Sequence, residues 1–315
     1  MASLLEDLRL VARGWRWTHR PLVPRSAERF LPAPDPKEFP TAWARTPLAR
    51  AVREGVQRFV LRPLVWTETE PRVEGLDHLE GLRPPVMFVA NHASHLDAPL
   101  VLCSLPRRWR ERTATAAAAD YFFDVLWRAA ATALVFNAFP IERKGARRGT
   151  GTARRLIEER WNLLVFPEGT RSRDGWLQRF RLGPARLAVE YRLPVVPVAI
   201  RGAYAAMPRG RGWPRPGRLP VSVRYGPPLH PEEGEDARGL NARLLRALER
   251  LWDEDATSWW ASLRREAEGK TPSLAGPPAA RWRRVWEASR PLPRPRPRPV
   301  WEAGESTTRG GGEER

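Results

Sequence analysis

The chain has 315 residues, 42% of them hydrophobic, which is enough for one sizeable core with appendages. Its formal net charge of +18 suits an anionic partner, either a membrane surface or nucleic acid. A single cysteine, Cys103, excludes an internal disulfide framework and suits a reducing compartment. Because Cys103 falls within a predicted helix, we expect it to pack rather than to react.

The N-terminal residues 1–45 predict an amphipathic helix followed by an irregular arm. Ser3 and Glu6 form a capping-box pattern. The helix would then place four apolar residues on one face, namely Leu4, Leu8, Val11 and Trp15. Three charged residues interrupt any apolar core there, so a signal peptide is not expected (Asp7, Arg9 and Arg13).

Thr46 and Pro47 predict the start of a second helix, which extends to Arg62. Its apolar side carries Leu48, Val52, Val56, Phe59 and Val60, and arginines occupy much of the remainder. A basic amphipathic helix of this kind can lie in a lipid interface, or it can pack on its own domain. Elsewhere, the uncharged stretch 129–141 is too short to cross a bilayer.

An apolar strand pattern over residues 85–90 leads directly into Asn91-His92-Ala93-Ser94-His95-Leu96-Asp97. A neutral imidazole oriented by a carboxylate is a common general base for a hydroxyl. Positions five apart lie roughly 140° apart around a straight helix, so His92 and Asp97 can meet only where the chain turns before a helix. Pro99 favours such a turn, because proline suits the first helical turn.

Two other residues of this segment need separate interpretation. His95 lies two residues from Asp97 and is a rival base on spacing alone. Ser94 predicts a capping or turn hydrogen bond rather than a substrate contact, because short hydroxyl side chains bond nearby backbone N–H groups.

Three further apolar strand patterns are associated with polar or proline-containing turns. The first ends in Phe139-Pro140-Ile141-Glu142-Arg143. The second, from residue 162, runs into Phe166-Pro167-Glu168-Gly169-Thr170-Arg171-Ser172, where the glycine permits close backbone approach and the arginine offers a planar fork suited to phosphate. The third spans residues 194–202 and contains Pro197, which indicates an edge strand, a bulge or a local break.

These four blocks resemble, in order, those of the glycerophospholipid acyltransferases, the lysophosphatidic acid acyltransferases and their relatives. Residues 91–97 are similar to the catalytic block, 139–143 to the second, 166–172 to the third and 196–200 to the fourth. The resemblance covers roughly residues 45 to 255. It selects His92 over His95 as the base and implies that Asp97 orients the imidazole.

The resemblance implies transfer of a fatty acyl group from acyl-CoA or acyl-carrier protein to the free hydroxyl of a lysophospholipid, foremost 1-acylglycerol-3-phosphate, which gives phosphatidic acid. It assigns Arg143 and Arg171 to the acceptor phosphate, with Glu168, Gly169 and Thr170 at the same site. No metal is implied, and no cofactor beyond the thioester donor. Two alternatives stay open: the same chemistry on lysophosphatidylglycerol or a lyso-aminolipid, and a non-catalytic basic protein that binds a lipid surface or nucleic acid.

The chain departs from the family at three places. Asn137 stands where glycine is frequent, and Glu142 where aspartate is common. The family often has a lysine after the strand that follows the first block, whereas residues 116–123 contain no cation here. These departures bear on the acceptor rather than on the dyad.

Strand and helix patterns alternate from Arg72 to Tyr225 and predict an α/β domain: a mixed central sheet of about seven strands flanked by helices, with amphipathic helices ahead of it. Residues 46–262 would form this acyltransferase domain, and 263–315 a Pro/Arg-rich tail without packed structure. Within the tail, residues 281–286 interleave arginine and tryptophan, which suits anionic lipid headgroups or single-stranded nucleic acid. We expect a peripheral protein at the cytoplasmic face of the cell membrane, with nucleic acid the less expected partner.

Overall fold

The computed structural model of the chain describes residues 40–118, 126–141 and 149–294. The predicted first helix and most of the N-terminal arm lie outside these residues. So do Glu142 and Arg143 of the second block, and the tail from residue 295 onward.

The described strands form one mixed seven-stranded sheet, in the order β1-β7-β6-β2-β5-β3-β4. The strands are β1 (Thr69–Glu74), β2 (Met87–Ala90), β3 (Thr113–Ala118), β4 (Ala138–Ile141), β5 (Asn162–Val165), β6 (Val195–Arg201) and β7 (Leu219–Tyr225). The five from β6 to β4 are mutually parallel, β7 is antiparallel to β6, and β1 is parallel to β7. The predicted α/β fold is confirmed.

The described helices are α1 (Pro47–Val56), α2 (Arg62–Glu68), α3 (Asp97–Ser104), α4 (Arg107–Arg110), α5 (Leu126–Phe136), α6 (Gly149–Glu158), α7 (Gly183–Glu190), α8 (Ala203–Ala206), α9 (Ala237–Ala256), α10 (Trp259–Ala267) and α11 (Arg281–Ala288). A π-helical turn, Gln57–Leu61, joins α1 to α2. Short 3-10 turns lie at Ala42–Arg45 and Leu76–Leu79. Thr46 caps α1, where its side chain accepts a hydrogen bond from Ala49.

Alternate residues of the central strands face two apolar layers, as the two-residue period of a strand requires. Met87 and Val89 belong to a layer shared with α6, α7 and α9, whereas Phe88 and Ala90 belong to one shared with α3 and α4. Because β2 is buried on both faces, it anchors the segment that follows it.

The loops that follow β2 and β5 leave the same edge of the sheet. The two strands are parallel neighbours, with Val89 opposite Val165, so their carboxyl ends lie side by side. Such an edge is where α/β sheets bind ligands. We call residues 91–96 the β2 loop and residues 166–182 the β5 loop.

The prediction of an edge strand around Pro197 is wrong, because β6 lies inside the sheet between β7 and β2. The alternative prediction of a local break is the one that fits, because the pairing between β6 and β7 stops at Pro197. The antiparallel ladder with β7 begins only at Val198, and the Gly226 N–H donates to the Pro197 carbonyl over 2.9 Å where that ladder stops. Pro197 is therefore tolerated inside the sheet, because no ladder hydrogen bond to β7 requires an N–H donor at this position.

The C-terminal region also differs from the prediction of an unpacked tail from residue 263. The structure continues α10 to Ala267, buries Leu274 in the apolar layer of α9, and forms α11. Arg284 adds polar bonds to two carbonyl groups and a carboxylate, which leave no hydrophobic periodicity in the sequence. Across the described ranges, none of the helices combines the length and the apolar character that a bilayer span needs.

Candidate active site

His92 and Asp97 contact each other where β2 leads into α3. The Nδ1 atom of His92 lies 2.8 Å from Oδ2 of Asp97, and the same oxygen accepts the backbone N–H groups of Ala93 and Ser94 over 2.7 Å each. Asp97 is fully buried. Because its carboxylate accepts, Nδ1 carries the hydrogen and Nε2 keeps the lone pair that a general base requires.

The imidazole of His92 is held from a second side by an aromatic ring. It stacks on Phe166 of the β5 loop, with 4.3 Å between ring centroids and 26° between planes. The side chain keeps 20% of its surface exposed. The ring is thus fixed in orientation and still reachable by a substrate.

The main chain of His92 is bonded to the β5 loop at both its N–H and its carbonyl group. Its N–H donates to Oε1 of Glu168 over 2.6 Å, and its carbonyl accepts the Ser172 N–H over 2.8 Å. Oε2 of Glu168 accepts the backbone N–H of Gln178 over 2.8 Å. Glu168 therefore joins the two loops. Burial raises the pKa of this carboxyl to about 8, against the opposing effect of its two backbone hydrogen bonds.

Gly169 is required by the shape of the β5 loop. Its φ of +71° lies in the left-handed region, and a Cβ there would come within 2.6 Å of Nε of Arg181. The neighbouring Thr170 and Arg171 are partly buried. The loop thus turns tightly between the residue that holds His92 and the arginine predicted to bind phosphate.

His95 of the β2 loop, three residues after His92, lines an open cavity of about 490 Å³ with a basic lining. Three arginines line it: Arg171 of the β5 loop, Arg128 of α5, and Arg211 of the segment after α8. The rest of the lining is His95, Thr132, Met207, Gly210 and Gly212. Guanidinium groups from three elements around one cavity form a site suited to a phosphate.

Residues 70–201 match the family described as Acyltransferase, and this region contains the dyad, the β5 loop and the central strands. Residues 70–201 are therefore similar in sequence to the members of that family. The resemblance predicted from the four sequence blocks is confirmed.

The chain is also similar to several named enzymes. A 1-acyl-sn-glycerol-3-phosphate acyltransferase of Limnanthes douglasii is 29% identical over 177 residues, which cover 54% of this chain and 58% of the relative. One of Pseudomonas aeruginosa is 33% identical over 116 residues, covering 36% and 41%. The crystal structure of the 1-acyl-sn-glycerophosphate (LPA) acyltransferase of Thermotoga maritima matches with a TM-score of 0.52 and 26% identity, over 64% of this chain and 79% of that one. The chain spans a little over half the length of the curated plant relative.

Within the candidate site, His95 occupies a different environment from His92. Burial, then the charge of Arg171 and then His92, lower the pKa of His95 to about 4. A ring with so low a pKa is a weak proton acceptor at neutral pH. The geometry therefore favours His92, which contacts the carboxylate, as the base.

Ser94 has the structural contacts that its position predicts. Its hydroxyl donates to the Met207 carbonyl over 2.7 Å and accepts the Leu96 N–H over 3.2 Å, and the side chain is fully buried. Cys103 is buried in α3, and burial raises the pKa of its thiol to about 12. A thiol of that kind packs as a small apolar group.

The sequence alone assigned no role to three residues of the candidate site. Asn91 bonds both the N–H and the carbonyl of Ile200, which ties the start of the β2 loop to β6. Arg128 and Arg211 reach the cavity from segments that belong to none of the four blocks. The one available signal for a further cation was the missing lysine in residues 116–123.

Proposed function

We propose that this protein transfers a fatty acyl group from acyl-CoA or acyl-carrier protein to the free hydroxyl of 1-acylglycerol-3-phosphate, giving phosphatidic acid. The observation that carries the proposal is the His92–Asp97 contact, together with a cavity lined by three arginines and by His95 of the same β2 loop. The names of the relatives support the same acceptor.

In the proposed reaction, Nε2 of His92 takes the proton of the acceptor hydroxyl as its oxygen attacks the thioester carbonyl carbon. Asp97 holds the imidazole and stabilises its cationic form. The tetrahedral intermediate collapses with cleavage of the C–S bond, and the imidazolium returns the proton to the thiolate, which leaves as free thiol. A covalent acyl-enzyme is not required, and Cys103 is unsuited to form one because it is buried with a raised thiol pKa.

The acceptor phosphate would bind in the cavity beside the dyad. Arg171 is the motif residue that lines it, and Arg128 and Arg211 add two cations from outside the motif. Charge-assisted hydrogen bonds from guanidinium groups are stronger than neutral ones and suit a phosphomonoester. Arg143, which the resemblance assigns to the same phosphate, lies outside the described residues.

The surface formed by α1, the π-helical turn and α2 would contact an anionic membrane at its cytoplasmic face. Leu48 and Phe59 are 75% and 72% exposed there, and Trp127 on the adjoining α5 is 67% exposed. Arg58 and Arg62 lie on the same helices, with Arg58 5.4 Å from the ring of Phe59. Exposed apolar side chains interspersed with cations are typical of helices that lie in a lipid interface.

Purified full-length chain tests the proposal. Acyl-CoA and acyl-carrier protein are each supplied with 1-acylglycerol-3-phosphate, lysophosphatidylglycerol and a lyso-aminolipid, and the free thiol released is measured. We expect the fastest release with the phosphomonoester acceptor, and a loss of at least ~100-fold in His92→Ala. Vesicle or nucleic-acid binding without thiol release from any pair would instead indicate the non-catalytic alternative.

A further inference from the structure

The C-terminal part of the described chain packs on the β5 loop. We call residues 271–294, which include α11, the C-terminal clasp. Arg284 of the clasp donates from Nε to Oδ2 of Asp174 over 2.7 Å. Its Nη1 and Nη2 donate to the carbonyls of Pro277 and Ala275, over 3.0 Å and 2.8 Å. Three acceptors around one planar guanidinium fix its orientation.

Asp174 connects Arg284 to the part of the β5 loop that bonds the main chain of His92. The Ser172 hydroxyl lies 2.7 Å from the Trp176 carbonyl and 3.1 Å from Oδ1 of Asp174, and Oδ1 also accepts the Trp176 N–H over 3.3 Å. Ser172 donates its own N–H to the carbonyl of His92 over 2.8 Å. The side chains of Arg284 and Asp174 are 20% and 13% exposed, so their interaction is largely shielded from water. A series of polar contacts thus leads from Arg284 through Asp174, Trp176 and Ser172 to the carbonyl of His92.

The clasp also holds the β5 loop by its main chain and by close packing. The indole N–H of Trp176 donates to the Arg284 carbonyl over 3.0 Å, and the Leu177 N–H donates to the Leu274 carbonyl over 3.0 Å. Gly276 lies against the Trp176 ring so closely that a Cβ there would come within 2.5 Å of it. The contact is specific in shape as well as in charge.

We infer that Arg284 is a positioning residue for acyl transfer, acting through Asp174 and Ser172 on the main chain of His92. The inference rests on the proposed function, because only an active transferase has a reaction to position. The clasp lies outside residues 70–201, the region that matches the family. A displacement of about 1 Å at a reacting group can slow a reaction about 100-fold, so a support of this kind affects rate.

The structure predicts which kinetic constant changes. The acceptor cavity is lined by the β5 loop, α5 and the segment after α8, and the clasp supplies none of the residues that line it. Arg284→Ala should therefore lower kcat by about 10- to 100-fold and leave the acceptor KM within about threefold. Arg284→Lys should restore part of the rate, because one ammonium group can still pair with Asp174.

Arg283→Ala is the matched control on the same helix. Its guanidinium is 61% exposed and pairs with Glu287 four residues along α11. We expect a kcat within about twofold of wild type, because exposed pairs of this kind contribute little. Asp174→Asn should lower kcat as Arg284→Ala does, and the double variant should lose little more, since residues of one network are not additive.

The assays use full-length protein, with kcat expressed per folded molecule. An Arg284→Ala variant that melts at a lower temperature but keeps wild-type kcat would overturn the inference, as would additive losses in the double variant. If Arg284→Ala does not fold, Arg284→Lys and Trp176→Phe take its place, and wild-type kcat in both would overturn it equally. A wild-type chain inactive with every acceptor is a separate outcome that removes the proposed function itself.

Discussion

Replacing Asp97 by asparagine separates the charge of this residue from its geometry. Oδ2 of Asp97 accepts three hydrogen bonds, whereas Oδ1 is buried and has no hydrogen-bond partner within the described part of the chain. An asparagine with its oxygen at the Oδ2 position keeps all three donors and places its NH2 group where Oδ1 lies. The variant should fold with His92 in its place.

The expected loss follows from the cation that forms during the reaction. His92 becomes positively charged when it takes the hydroxyl proton, and the carboxylate stabilises that charge. Two unit charges about 4 Å apart interact by about 4 kcal/mol at an effective dielectric constant of ~20. Because about 1.4 kcal/mol corresponds to a factor of ten in rate, the full interaction is worth about 1,000-fold. The amide dipole retains part of it, so we expect kcat to fall by about 100- to 1,000-fold.

Thiol release from acyl-CoA at saturating 1-acylglycerol-3-phosphate measures this loss. The acceptor KM should stay within about threefold, because Asp97 does not line the arginine cavity. His95→Gln, the variant of the rival base, should keep most of the wild-type kcat. The reasoning is refuted if folded Asp97→Asn keeps more than about a tenth of the wild-type kcat, or if His95→Gln loses as much activity as His92→Ala.

Three further predictions concern stability, acceptor binding and membrane contact. Burial raises the pKa of Glu168 to about 8 from 4.5, so the folded protein binds this proton more tightly than the unfolded chain does. The resulting contribution to the free energy of unfolding is complete below about pH 4.5 and is lost as the pH rises through 8. The free energy of unfolding of wild type, relative to Glu168→Gln, should therefore fall by about 2 kcal/mol between pH 6 and pH 8, as measured by urea titrations. The same pH dependence of this free energy in both proteins would contradict the prediction. Arg128→Ala and Arg211→Ala should each raise the acceptor KM about tenfold with little change in kcat, and an equal effect on an acceptor without a phosphomonoester would count against the phosphate site. Leu48→Asp with Phe59→Asp should weaken sedimentation with anionic vesicles at least ~10-fold and spare transfer to a short-chain soluble acceptor, whereas unchanged binding would place membrane contact elsewhere.

The parts of the site that the sequence predicted are those set by local geometry. His92 and Asp97 are five residues apart, and Pro99 places the turn between them, so their contact needs no knowledge of the sheet. The sheet was predicted because strand patterns and helix patterns alternate along the chain, and these patterns are also local features of the sequence. The position of β6 inside the sheet was not predicted. Proline lacks the N–H of a ladder hydrogen bond, but the sequence does not show which neighbouring strand stops pairing at Pro197.

Other parts of the site depend on contacts between distant segments. The hydrogen bond from the His92 N–H to Glu168 forms because β2 and β5 are neighbouring strands. Neither sequence block predicts that strand order, so the bond could not be predicted. Arg128 and Arg211 approach from segments that no motif marks. The clasp was predicted to be unpacked because its proline and arginine content hides the contacts it makes, among them the bonds of Arg284 to carbonyl groups, which leave no apolar period in the sequence.

One loop sets the distance between the proposed base and the proposed phosphate site. Glu168 and Ser172 of the β5 loop bond the N–H and the carbonyl of His92, and Arg171 lies between them in sequence. Any shift of this loop would therefore act on the main chain that carries the imidazole. The clasp restrains the loop at Asp174 and Trp176, just beyond that pair of bonds. Loosening the clasp should thus disturb the position of the His92 main chain, and with it the imidazole, which is why we expect the effect mainly in kcat.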